Sequence, residues 1–172
     1  RDVRGVARSR ALLGLVALQQ GRGTAVLEQA LRETEEALGT RQHPDVADIL
    51  HELAGWSEGS AALRYAEECI AIRRSLHGEG WLLAATMNSY GLALEAHDPR
   101  RAAEVMRDAA RMAEAALGPT HPGVMHIQIN LGAVLVDTGH EEEGLDVLRT
   151  VATRPELDLS LIHISEPTRQ IR

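Results

Sequence analysis

His51 and Glu52 stand side by side in a stretch of helical periodicity, the opening pair of a zinc-protease helix. That chemistry needs a second imidazole four residues after the first, on the same helix face, and position 55 is Gly55. The motif fails. His121 and His126 lie five residues apart, on different faces of a helix, and do not form a metal pair. Gly21 and Gly23 begin like a dinucleotide-binding loop, but Val26 occupies the place of the third glycine and no strand precedes them. Cys69 is the single cysteine; it has no internal disulfide partner and reads as a packed small hydrophobe. Glu141, Glu142 and Glu143 open a helix, where negative charge suits the macrodipole. Arg73-Arg74 and Arg100-Arg101 read as solvated outer faces of helices. No catalytic residue, metal site or cofactor site emerges, so the expectation is a protein that is not an enzyme and takes no small-molecule substrate.

The elements that carry these residues follow from composition and spacing. The chain has 172 residues, 44% of them apolar and 2% aromatic, with no Phe. A core built from Ala, Leu, Val, Ile and Met favours closely packed helices over sheets. A formal net charge of −7 opposes a nucleic-acid partner, and no apolar run is long enough to span a membrane. All 18 basic residues are Arg, and Asn occurs only at positions 88 and 130. Avoidance of residues with A/T-rich codons predicts a GC-rich, bacterial genome. One cysteine and no secretory signal pattern predict a cytoplasmic setting. The chain starts at Arg1 already in a helical pattern and so reads as a fragment of a longer protein.

Three series of small residues run in step. Large-small pairs recur at Leu13-Gly14, Leu53-Ala54, Tyr90-Gly91 and Leu131-Gly132; a second series is Gly23, Ala62, Ala102 and Gly144; a third is Ala30, Cys69, Ala109 and Val151. The period is about 40 residues, and Gly39, Gly78 and Gly118 close segments as helix-terminal glycines. Each period holds two helical halves, predicting eight helices at 3–20, 24–38, 44–57, 60–77, 82–97, 99–117, 122–138 and 141–153. Small residues facing each other, such as Gly91 with Ala102 or Gly132 with Gly144, allow two antiparallel helices to approach closely. Asp98 is placed to cap the helix that begins with Pro99.

Residues 159–172 (LSLIHISEPTRQIR) break this pattern, with three Ile and no Ala. Codons for residues 159–169 can be written as the transposon-end adapter of sequencing libraries, so the segment reads as a non-native tail and the repeat array as residues 1–158. Deleting the tail is expected to leave the thermal midpoint unchanged; a clear fall would contradict this reading.

The run His121-Pro122, Val124, Asn130-Leu131-Gly132 and Gly139-His140, preceded by Ala116-Leu117-Gly118, resembles the tetratricopeptide repeat of kinesin light chains and their bacterial relatives. His43-Pro44-Asp45-Val46-Ala47, after Ala37-Leu38-Gly39, is similar to the start of the same repeat. The sequence departs from it where Gly80-Trp81 replaces His-Pro and where Gln128 stands at a usually apolar position. The resemblance implies an all-α superhelix, a tetratricopeptide solenoid of about four antiparallel helix pairs over residues 3–153. It also implies a concave surface, lined by the first helix of each pair, that binds a peptide or partner protein. In bacteria such repeats accompany serine/threonine kinases or signal-transducing ATPases, within which this array would recruit a partner or act as a spacer.

Projecting the first-helix register of that repeat points Arg8, Asp48, His51, Asn88, Glu95, His126 and Asp137 toward the concave side. Asn88 is the leading member, because its amide both donates to and accepts from an extended backbone. His51 and His126, titrating near pH 6.5, would suit an acidic partner, while Asp48, Glu95 and Asp137 oppose one.

Overall fold

A computed structural model describes residues 24–154. Within them the chain forms α1 (Ala25–Leu38), α2 (Pro44–Trp56), α3 (Gly59–His77), α4 (Trp81–Leu94), α5 (Pro99–Leu117), α6 (Pro122–Asp137) and α7 (Glu141–Ala152), with no strand. The helix expected over 3–20, the candidate Arg8 and the tail at 159–172 lie outside the described residues. The other seven helices fall where the spacing placed them, except that α4 ends at Leu94, three residues early, and residues 95–97 make a turn closed by the Leu94 carbonyl.

The helix starts show why His-Pro recurs. At His43 the imidazole Nδ1 accepts from the amide of Asp45 at 3.1 Å, and at His121 it accepts from the amide of Gly123 at 3.0 Å. Each imidazole caps a helix whose first position is Pro, which has no amide hydrogen to satisfy. Asp98 caps α5 in the same sense, accepting from the Arg101 amide at 3.1 Å. Gly80 caps α4 with no side chain. The Trp81 ring beside it instead packs on the start of α6, 6.0 Å from the His121 ring and over Gly123. At the other ends, Gly39 and Gly118 take positive φ (66° and 81°), a conformation that costs an L side chain more than it costs glycine.

Helices pair within each repeat, α2 with α3, α4 with α5 and α6 with α7, and each pair stacks on the next through α3 with α4 and α5 with α6. Small residues set the closeness. A Cβ built on Gly91 would lie 2.3 Å from Met106 Cγ, and one on Gly144 would lie 2.7 Å from the Gly132 carbonyl oxygen. Between the pairs runs one continuous core that includes Leu27, Leu50, Leu53, Met106 and Leu135. The first helices also touch across repeats, α2 with α4 and α4 with α6. No comparable contact joins α1 to α3, α3 to α5 or α5 to α7. Closer spacing of the first helices makes their face the inner side of the curve.

Candidate functional site

The inner face is built from α2, α4 and α6, and its polar residues gather at the two seams between them. At the α4–α6 seam the Asn130 amide Nδ2 donates to Asn88 Oδ1 at 3.1 Å and lies 3.3 Å from His126 Nε2. His126 and Asn130 are one turn apart on α6, so stacking brings residues of two repeats together. Asn88 is 7% exposed. Among the described residues nothing in the chain accepts from its own Nδ2, which is not sealed from solvent. A largely buried amide that keeps an unpaired donor within reach of solvent is suited to meet the carbonyl of an extended chain.

At the α2–α4 seam a buried arginine reaches through the stack. Arg73, on α3, is 4% exposed; its guanidinium donates to the Leu82 carbonyl at 2.7 Å, to the Thr86 hydroxyl and to Asp48 Oδ1 at 2.8 Å. This corrects the expectation of a solvated Arg73-Arg74 face: Arg74 is exposed, but Arg73 is not. In register, Thr34 on α1 and Ala113 on α5 stand at the Arg73 position and are buried at 3% and 0% exposure, so this place in the repeat faces inward. The long arginine stem lets the charge emerge beside the Asp48 carboxylate, whose side chain is 63% exposed.

His51 is next to this pair. Burial, then the Arg73 charge, pushes its pKa down to about 4, with Asp48 opposing. Its Nδ1 is buried without a hydrogen-bond partner among the described residues. Burial also lowers the pKa of His126. Both imidazoles are therefore held toward the neutral form, which removes the reason for expecting an acidic partner. Glu52, one turn from Asp48, has its pKa raised chiefly by burial, against a hydrogen bond with Trp56.

The candidates thus divide. Asp48 and His51 share one seam, and Asn88 and His126 share the other. Asp137 is exposed at the end of α6, two turns beyond Asn130 along one stripe. Glu95 follows the last residue of α4 and is half-buried. Reading the sequence missed Arg73, Thr86, Glu52 and Asn130 as parts of the face. Asn130 had a signal, its place in the Asn-Leu-Gly run; Arg73 had one in its alignment with Thr34 and Ala113. Cys69 is packed as expected, fully buried with its Sγ 3.0 Å from the Ala47 carbonyl oxygen, and burial raises its pKa. Gln128, at its unusual polar position, accepts from Arg154 Nη1 at 3.0 Å. A cleft of about 490 Å³ lies apart from both seams, on α7 and Gln128, where Glu142, Glu143 and Asp146 line it. Its Glu143 is held by Arg107 through two hydrogen bonds of 2.8 and 2.6 Å.

Removing Asp48 would leave the buried Arg73 with neutral acceptors alone. Asp48→Ala is expected to lower stability by about 2 kcal/mol, as the charge-assisted bond is lost. Arg73→Met, with an apolar chain in an inward position, should cost less. Urea denaturation of both variants checks this, and a neutral Asp48→Ala would contradict the pairing.

Residues 83–123, from the body of α4 to the start of α6, match the family model described as tetratricopeptide repeat. This segment is similar to a tetratricopeptide repeat. Two solved structures share the fold of the array, both from Podosopora anserina and both described as a kinesin light chain with nearly identical TPR-like repeats. One, a point variant, has a TM-score of 0.68 and the other 0.65; each is 21% identical over 85% of this chain and 73% of its own. No curated protein matches the sequence. The described residues thus have the helical-repeat fold of these tetratricopeptide-like solenoids, and such repeats are in general protein-interaction modules. No helix among the described residues is long and apolar enough to cross a membrane.

Proposed function

We propose that the array binds an extended segment of a partner protein along the face of α2, α4 and α6, as the recruiting part of a larger signalling polypeptide in a bacterial cytoplasm. One observation carries this reading: Asn88 is 7% exposed, is fixed through its oxygen by Asn130, and keeps its amide donor free among the described residues. An amide oriented in this way binds backbone with little entropy cost and little dependence on the partner's side chains. Because the Asn88–Asn130 bond joins two repeats, the ligand would read the stack and not a single helix pair.

A pure spacer would use the same amide pair only to rivet α4 to α6. Selection of random peptides on the wild-type protein separates the two functions. The expected result is enrichment of peptides that bind at least about tenfold more weakly to an Asn88→Ala, Asn130→Ala double variant with an unchanged circular dichroism spectrum. Equal binding by both proteins would remove the groove and favour the spacer.

A further inference from the structure

The charges of the described array are segregated by helix. Helices α2, α4 and α6 contain no Arg or Lys, whereas α1, α3, α5 and α7 all carry Arg. One cation reaches the inner seams, that of Arg73, and it is consumed by Asp48, the Leu82 carbonyl and the Thr86 hydroxyl. The two inner imidazoles, His51 and His126, are partly buried beside these seams and supply no standing positive charge. Glu52 and Asp137 stand on α2 and α6, the first helices to either side of α4, and none of these three helices carries an Arg or Lys; among the described residues the one cation that acts on Glu52 is Arg73, from α3, and Glu52 also bonds Trp56. One turn beyond Asn88, Leu92 is 43% exposed, and Trp56 at the end of α2 is 38% exposed. The face thus offers a free amide donor, exposed apolar side chains and carboxylates to either side.

We propose that the occupant of this face is a basic extended segment, whose backbone meets Asn88 and whose Arg or Lys side chains, flanking an apolar residue, meet Glu52 and Asp137. The proposal rests on the peptide-binding reading above and adds the partner's chemistry. Complementary charge of this kind raises the association rate and rejects like-charged partners more than it adds affinity, and salt weakens it.

The test uses the full chain and three pools of random peptides, enriched respectively in Arg and Lys, in uncharged residues, and in Asp and Glu. Binding is measured by fluorescence anisotropy at about 50 mM and about 500 mM NaCl. The basic pool should bind best, lose about tenfold in affinity at high salt, and lose a similar factor with Glu52→Gln, Asp137→Asn and separately with Asn88→Ala. Preference for the uncharged or acidic pool, still abolished by Asn88→Ala, would overturn the charge inference and leave the groove standing. Basic-pool binding that is indifferent to Asn88→Ala would place the contact elsewhere and overturn both readings, as would the failure of every pool to bind.

Discussion

Gly144→Ala is expected to destabilise the array by about 3 kcal/mol, although alanine favours a helix over glycine by about 1 kcal/mol. The added Cβ would lie 2.7 Å from the Gly132 carbonyl oxygen, 2.8 Å from Val136 Cγ2 and 2.9 Å from the Val136 amide nitrogen. Two of these three are backbone atoms of α6, so relief requires α6 and α7 to separate. At Gly91 the obstacle is the Met106 side chain, with the Ala102 carbonyl oxygen at 3.5 Å, and methionine can adjust. Gly91→Ala should therefore cost less than Gly144→Ala, while Gly91→Leu, whose whole side chain must be housed between α4 and α5, should again cost about 3 kcal/mol or more. Thermal and urea denaturation of the three variants checks the order, and a neutral Gly144→Ala would contradict the packing of the last repeat.

The same packing explains what could be read from the sequence. Close approach of paired helices admits few residue types, so Gly91 with Ala102 and Gly132 with Gly144 announced the helix pairs directly. His-Pro was legible as punctuation, while its cause, an imidazole capping the helix that Pro begins, is a side-chain geometry that spacing alone does not reveal. Arg73 was misread because an arginine on a helix is ordinarily solvated, and only the stack shows its stem running inward to Asp48. The Asn88–Asn130 contact was half visible. With Gly91 and Gly132 in register, Asn88 aligns with Ile129, not Asn130, so the two amides meet through the offset of adjacent helices and not through equivalent positions.

Acidification should weaken the fold through His51. Its pKa is about 4 in the folded chain against an ordinary 6.5, so as pH falls below 6.5 the unfolded state binds a proton that the folded state refuses. The stabilisation is complete above pH 6.5, declines toward pH 4 and is gone below it, a loss of up to about 3 kcal/mol. His126, lowered by burial, acts in the same sense. In His51→Asn, which places at this position the residue found in register at Asn88, the His51 share of the pH dependence should vanish. Urea denaturation at neutral pH and near pH 4 gives both losses; equal losses in wild type and His51→Asn would show that His51 is not held neutral.

Asn88 and Asn130 are the two asparagines in the chain, so selective ¹⁵N-asparagine labelling yields two side-chain amide pairs, both at the α4–α6 seam. Their NMR signals can be followed during titration with a peptide selected on the wild-type protein. Binding along the first-helix face predicts that both amide pairs shift as the complex saturates, Asn88 most strongly because its donor is free. Saturation with both pairs unmoved would contradict peptide recognition by this face.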